Sequence, residues 1–305
     1  MDSILLLEQV LNGLQFGLML FLLAAGLTLV FGIMDMINLA HGSLYMVGAY
    51  LAAAVTEASG SFLTGIGAAM IGTAVLAVVL EVLLLRRLYA RNHLAQVLAT
   101  FALILIANEC VRVIWGAQTL MLNAPEALSG PVKIGGFLYP AYRLLIIGVG
   151  ALVAGLLYVL VTRTRIGMWV RAGASNREMT EALGINVRLL FTLVFAFGAA
   201  LCALAGAMLG PLLAVQVGMG ESILILAFVV IVIGGIGSIR GALVGSLLVG
   251  LVDTLGRAML PALLRALFSP EVASNLGPAL ASVLIYVLMA AILFWRPEGL
   301  FPARA

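Results

Sequence analysis

Charge is scarce in this 305-residue chain: Asp, Glu, Lys and Arg make up 10% of the residues and hydrophobic residues 64%. Soluble domains carry about a quarter charged residues, so the composition excludes an ordinary soluble protein and predicts a single membrane domain over residues 1–305. The net charge is +3, but the basic residues stand in short loops between apolar runs. That distribution is typical of topology signals, and no nucleic-acid partner is expected.

Lysine is nearly absent, because fifteen of the sixteen basic residues are arginine and the remaining one is Lys133. A phosphate-binding loop of the form G-x-x-x-x-G-K-[ST] needs a lysine after its second glycine, and Lys133 lies between Val132 and Ile134. The glycine-rich segment 234–241, GGIGSIRG, also lacks the lysine and is interpreted as a helix break. The chain is therefore predicted to hydrolyse no ATP, so that any hydrolysis takes place in another polypeptide.

Cysteine and histidine are too few to indicate an enzyme or metal site. Cys110 and Cys202 each lie in an apolar stretch, which favours small buried hydrophobes over a disulfide or metal ligands. His41 and His93 are far apart, and no carboxylate pair has the spacing of a zinc motif or an acid/base dyad. An intramembrane enzyme that depends on His41 is kept only as a third hypothesis.

Long apolar runs dominate the rest of the chain. A bilayer core of ~30 Å needs about 20 helical residues, which predicts nine spans, with eight or ten as alternatives. They are 9–33, 42–58, 62–85, 94–115, 142–162, 188–213, 221–236, 241–260 and 279–295. The first run has no basic residue before it, so we expect a retained span rather than a cleaved signal. With the amino terminus outside, eleven basic residues face the cytoplasm and five the other side, and the carboxyl terminus is cytoplasmic.

Two loops are longer than simple turns. Residues 116–141 are rich in Pro and Gly, and we expect an irregular lid or docking surface outside the cytoplasm. Residues 163–187 are predicted to be cytoplasmic and to carry a short helix, capped by Ser175 or Asn176 and ended by Gly184. A helix this short needs a partner, so its face with Met179 and Leu183 fits docking to another protein. An arginine-rich loop lying on anionic lipid is the alternative.

Breaks in the apolar runs and charges within them are the other candidate functional features. The breaks at 31–50 and 232–250 predict a translocation path, since transporters place such paths at interrupted helices. The path candidates are Asn38, His41, Ser43, Gly234, Gly235, Gly237 and Ser238. Helix capping and a hydrogen-bonded histidine are the alternative for the first three.

Charges inside the spans are spaced for pairing. Glu109 with Arg112, and Asp253 with Arg257, are predicted to form buried ion pairs, either structural or part of an ion path. Glu81 is expected to reach towards the interface near Arg86.

Four segments together resemble the permeases of branched-chain amino acid ABC importers, and within them the H-type subunits. They are LNGLQFGLMLFLLAAGLTLVFGIMDMINLAHGSLYMVGAY from residue 11, RIGMWVRAGASNREMTEALGIN from 165, GGIGSIRGALVGSLLVG from 234 and FWRPEGLF from 294. The resemblance implies an all-α polytopic permease of a bacterial inner membrane. It also implies four kinds of partner: an M-type permease, two cytoplasmic ATPases that use ATP and Mg²⁺, a soluble substrate-binding protein outside, and membrane lipid. No cofactor bound by this chain itself is implied.

The resemblance also assigns the cytoplasmic loop as the segment that docks on the ATPase. Its E-A-A…G pattern is matched by Glu181, Ala182 and Gly184, with Leu183 in place of the second alanine. The coupling residues so implied are Arg171, Asn176, Arg177, Glu178, Glu181, Ala182, Leu183 and Gly184. Substrates associated with such permeases include branched-chain and other amino acids, amides, urea and aromatic acids. The rival hypothesis is a self-sufficient secondary transporter or channel that uses the charge pairs.

Overall fold

A computed structural model describes residues 3–34, 36–134, 136–266 and 269–302 of the chain. These residues are almost entirely helical. The long helices are α1 (Ser3–Met34), α2 (His41–Ser59), α3 (Phe62–Leu80), α5 (His93–Trp115), α6 (Ala141–Arg163), α9 (Val187–Leu209), α10 (Met219–Gly234), α11 (Ile239–Leu264) and α12 (Pro270–Trp295). The short ones are α4 (Arg86–Leu88), α7 (Arg165–Ser175) and α8 (Arg177–Ala182). A π-turn, Glu81–Leu85, joins α3 to α4, and a 3₁₀ turn covers Glu126–Leu128.

Seven helical stretches in the described part are long and apolar enough to cross a membrane, which confirms an all-α polytopic membrane protein. With α2 and the shorter α10, nine apolar helices match the nine predicted spans in position, while the number of crossings stays a prediction. Helix α12 contains the last predicted span, 279–295, but begins earlier, at Pro270, and runs through Pro278. Proline fits the first helical turn, and neighbouring groups let membrane helices tolerate an interior one.

Helix α1 forms the centre of the bundle and packs against α11, α9, α6 and α10. The most apolar window of α1 is 83% buried and that of α9 is 72%, whereas the other five lie between 17% and 28%. Close approach depends on glycine: a Cβ added to Gly250 on α11 would lie 2.5 Å from the backbone nitrogen of Gly17. The outer helices leave large apolar surfaces for lipid or for other subunits.

We had expected the loop 116–141 to be irregular, but part of it forms regular structure. Strands β1 (Pro131–Ile134) and β2 (Phe137–Pro140) pair as an antiparallel hairpin. The Tyr139 hydroxyl donates to Asn12 Oδ1 at 2.9 Å, Arg143 donates to the same oxygen, and the Tyr142 hydroxyl donates to the Met208 carbonyl at 2.7 Å. Tyr139 therefore fastens the hairpin to α1, while Tyr142 and Arg143 fasten the start of α6 to α9 and α1.

The hairpin and the α7–α8 segment lie at opposite ends of the bundle. They are joined by the 23 residues of α6, which span about 35 Å at 1.5 Å per residue. We call these the hairpin end and the α8 end. The α8 end also holds the π-turn, the α10–α11 break and the turn that follows α12.

Candidate functional site

The short helix predicted after residue 175 is present as α8. Asn176 precedes it, and its side-chain oxygen accepts a hydrogen bond from the Met179 amide at 2.9 Å. Gly184 follows with φ +84°, a conformation that favours glycine. The preceding helix, α7, was not predicted; the Thr164 hydroxyl accepts from the Gly167 amide at its start.

One face of α8 and the residue after it project away from the bundle. Met179 is 59% exposed and Leu183 is 74% exposed, while Thr180 on the other side is buried. Arg177 and Glu181 form an ion pair at 3.3 Å, with both side chains nearly half exposed. Adjacent exposed apolar side chains flanked by charges suit docking into another protein's groove.

Helix α8 is attached to the bundle through an aromatic pair. The guanidinium of Arg177 lies over the ring of Phe191 on α9, 5.2 Å from its centroid. Phe191 in turn packs edge-to-face on Tyr89, with ring centroids 5.9 Å apart. The start of α8 is thereby linked to α9 and to the segment that follows α4.

Glu81 is fully buried, so the expectation that it reaches the interface is wrong. Its carboxylate accepts from Arg86 Nη2 at 2.9 Å, Arg86 Nε at 3.2 Å, the Tyr89 hydroxyl at 2.9 Å and the Thr192 hydroxyl at 2.8 Å. The Arg86 side chain reaches this carboxylate because the π-turn places Arg86 on the same side of the helix as Glu81. A buried carboxylate is costly unless it is paired in this way.

A cavity of about 400 Å³ opens beside this network and is lined by Glu81, Arg86, Tyr89, Ala90, Arg177, Arg188 and Phe191. Burial raises the pKa of the Tyr89 hydroxyl, and the charge of Glu81 raises it further. The hydroxyl therefore stays protonated at physiological pH and serves as a donor to the carboxylate. The cavity joins α8 to the end of the α3 span in one polar site.

The α10–α11 break is a tight, capped turn, as its glycines predicted. Gly235 and Gly237 have positive φ values of 103° and 80°, and the Ser238 hydroxyl oxygen accepts from the Gly241 amide at 3.1 Å. The turn after α12 docks on it: the Leu300 and Phe301 amides donate to the carbonyls of Ile233 and Gly234, both at 2.9 Å. The FWRPEGLF segment thus fixes the break in place.

A second cavity of about 1160 Å³ lies between this break, α1, α6 and α7. It brings together two predicted path residues, Gly237 and Ser238, and one predicted coupling residue, Arg171. Its other charged lining residues are Arg240 and Arg296. A wide cavity between a helix break and the segment before α8 is a suitable opening for a substrate path at the α8 end.

The first break is placed differently. Asn38, His41 and Ser43 are all buried, and none of them lines either cavity. His41 Nε2 lies 3.0 Å from the Cys202 sulfur, and Asn38 Oδ1 accepts from the Ala40 amide. These contacts favour the structural alternative for Asn38 and His41 in this conformation.

Two polar residues on α5 hold the same break and were missed in the sequence. The Gln96 side-chain oxygen accepts from the Ile37 amide at 3.3 Å, and the Thr100 hydroxyl accepts from the Leu39 amide at 3.2 Å. Both side chains are buried. The sequence did carry a signal for them: two polar residues four apart in an otherwise apolar helix lie on one face of that helix and can bind the same segment.

Both predicted charge pairs form, but only Asp253 among the four residues is buried. Glu109 and Arg112 meet at 2.8 Å with exposed side chains, on the outside of the chain. Asp253 and Arg257 also meet at 2.8 Å; the aspartate side chain is 11% exposed and the arginine 50%. The spacing of the charges shows that they can pair along one helix, but it does not show which side of the helix faces the bundle.

Cysteine burial was predicted correctly only in part. Cys202 is buried, whereas Cys110 is exposed on α5. Among the described residues, no group of three or more His, Cys, Asp or Glu side chains could hold a metal ion.

Comparisons with known proteins agree on one class. The family described as branched-chain amino acid transport system / permease component matches residues 9–293. The branched-chain amino acid permease protein BraD of Pseudomonas aeruginosa is 31% identical, with 96% of this chain and 95% of that protein covered. LivH of Escherichia coli K12, another such permease protein, is 29% identical with 96% of each covered.

A more distant similarity reaches a sugar permease. The fructose import permease protein FrcC of Rhizobium meliloti is 31% identical over 153 residues, which cover 47% of this chain and 40% of that protein. No solved structure matches the chain significantly.

Proposed function

Because this chain belongs to the permease components of branched-chain amino acid transport systems, we propose that it forms part of the membrane path for a branched-chain or closely related amino acid. The family is one of non-catalytic transport subunits, so the prediction that the chain is not an enzyme is confirmed. The observation that carries the proposal is the match over residues 9–293 together with the large cavity at the α8 end.

The cavity supports a path that opens at the α8 end. Its walls include the α10–α11 break, where Gly237 and Ser238 interrupt the helical backbone. Gly234 and Gly235 lie at the same break, where the Gly234 carbonyl accepts a hydrogen bond from the turn after α12 and Gly235 packs against that turn. A shift of that turn would change the width of the cavity, because both share the residues of the break.

The exposed face of α8 supports docking to a cytoplasmic ATPase. In this proposal Met179 and Leu183 enter a groove of the ATPase, and Arg177, Glu178 and Glu181 lie at the rim of that groove. Asn176 caps α8, and Arg171 lies on α7, the helix that leads into it. The ATPases use ATP and Mg²⁺, and this chain binds neither. A second permease of the M type pairs with this chain, and a binding protein outside delivers the substrate.

Reconstitution tests the whole proposal. Liposomes that contain this chain, the second permease and the ATPase should take up labelled leucine, isoleucine or valine only when ATP and the binding protein are present. Uptake of amides, urea or aromatic acids in their place would revise the proposed substrate but would still support an ATP-driven importer. ATP-independent uptake by this chain alone would contradict the proposal.

The proposed orientation puts the α8 end in the cytoplasm, and the hairpin end and amino terminus outside. In a chain whose Cys110 and Cys202 are replaced by Ser and Ala, Lys133→Cys should react with a membrane-impermeant thiol reagent in intact cells. Met179→Cys should react only after permeabilisation, because α8 lies at the opposite end; both positions are exposed in the chain. Labelling of Met179→Cys from outside would contradict the orientation and with it the ATPase docking.

The charge pair on α11 separates this proposal from a self-sufficient secondary transporter. The double change Asp253→Asn with Arg257→Gln removes both charges of the 2.8 Å pair and leaves similar shapes. We expect ATP-driven uptake to change less than about fivefold, since an ion pair with a half-exposed arginine contributes about 1 kcal/mol or less. Loss of uptake, with the amount of complex unchanged, would favour an ion path through α11; the exposed pair Glu109→Gln with Arg112→Gln serves as the control.

A further inference from the structure

Glu81 and Arg86 are joined twice at the end of α3. The Arg86 amide donates to the Glu81 carbonyl, which is the backbone bond that defines a π-turn, and the Arg86 side chain donates two bonds to the Glu81 carboxylate. In an α-helix, residues five apart point about 140° away from each other. The ion pair therefore depends on the π-turn, a feature found frequently at functional sites.

The carboxylate of Glu81 accepts hydrogen bonds from two parts of the chain, the stretch that holds α4 and helix α9. Arg86 belongs to α4, Tyr89 follows α4, and Thr192 lies on α9. Arg86 Nη2 also lies 3.0 Å from the Thr192 hydroxyl. Because the carboxylate is fully buried, separating any of these segments would leave a charge without its partners, at high cost.

The network continues to α8 through the neighbour of Thr192. Phe191 lies between the Tyr89 ring and the Arg177 guanidinium. Thus α8, α9 and the end of the α3 span meet in one layer of contacting side chains. A rotation of α8 cannot occur without moving Phe191 or breaking the contact with Arg177.

We propose that Glu81 is a positioning residue for energy coupling: it holds the end of the α3 span against α9 and α8, so that movement of α8 is transmitted to α3. This inference rests on the proposed function, since it assumes that α8 receives force from an ATPase. It adds a residue outside the docking face to the coupling machinery.

The test measures substrate uptake and ATP hydrolysis on the same proteoliposomes of the full complex. Glu81→Gln keeps the side-chain shape and removes the charge, and Arg86, whose side chain is 36% exposed, can then turn to water. We expect the substrate taken up per ATP to fall about three- to tenfold, the size expected for the net contribution of one ordinary hydrogen bond. Thr192→Val, which removes one donor, should lower the ratio in the same direction. The amount of assembled complex should not change.

Two matched controls come from the same region. Thr73→Val changes a buried hydroxyl on α3 that has no partner among the described residues, and Arg87→Gln changes the exposed neighbour of Arg86. Neither should alter the ratio of uptake to hydrolysis.

A double-mutant cycle with Arg177→Ala separates transmission from mere support of the fold. Transmission predicts that the effects of Glu81→Gln and Arg177→Ala on the ratio are non-additive, since both break one connected layer. Additive effects, an unchanged ratio, or a loss that only follows loss of complex would each overturn the inference. If α8 variants themselves leave hydrolysis and uptake unchanged, the proposed function fails instead, so the two failures can be told apart.

Discussion

Changing Glu181→Arg together with Gly184→Pro is expected to abolish ATP-driven uptake and co-purification with the ATPase. The first change reverses a charge on the exposed face of α8 and breaks its 3.3 Å pair with Arg177. The second forces a negative φ where the chain has +84° and removes the amide that donates to the Glu181 carbonyl. Loss of a central docking contact at an interface costs about 2 kcal/mol or more of binding free energy, which is about thirtyfold in affinity for the ATPase. Pull-down with the ATPase and uptake in proteoliposomes measure it.

Gly116→Pro is the matched control at the hairpin end. Gly116 also follows a helix with positive φ, 89°, and its amide donates to the Arg112 carbonyl at 2.9 Å. The local backbone damage is thus similar, but the site lies far from α8. If both variants lose the ATPase equally, the loss reflects a damaged fold, and α8 has no special role in docking.

The sequence was sufficient to predict α8 because its signals are local. Asn176 and Gly184 end a helix by side-chain and backbone geometry that depends on adjacent residues alone. The long helices were predictable for a related reason, since lipid demands about 20 apolar residues for each crossing. Helix ends were harder to predict: the last span was predicted to begin at residue 279, whereas α12 begins at Pro270 and tolerates Pro278 in its interior.

The contacts between distant segments could not be predicted in the same way. Glu81 looked like an interfacial charge because Arg86 is five residues away, and only the π-turn and Thr192, 111 residues along the chain, make it a buried centre. His41 was predicted as a path residue because it lies at a break, and its contact with Cys202 on α9 could not be foreseen. Both outcomes depend on which faces of α2, α3 and α9 meet, and no local pattern encodes that.

The α10–α11 hairpin depends on glycine for its closest approach. A Cβ on Gly241 would lie 2.1 Å from the Gly234 carbonyl oxygen, and one on Gly234 would lie 2.3 Å from the Gly241 carbonyl carbon. These obstacles are backbone atoms, which cannot turn aside as a flexible side chain could. The same backbone carries the break that lines the large cavity and the carbonyls that receive the turn after α12.

Gly241→Ala is therefore expected to lower the free energy of unfolding by about 3 kcal/mol, the upper part of the range for overpacking. Uptake should fall in parallel, because α11 can only move apart from α10 by opening the break. Gly155→Ala on α6 is the control, since a Cβ there meets nothing within 4 Å and alanine suits a helix better than glycine. Unfolding by detergent titration, followed by far-UV circular dichroism, measures both variants. Equal stability of the two would show that α10 and α11 do not pack through Gly234 and Gly241.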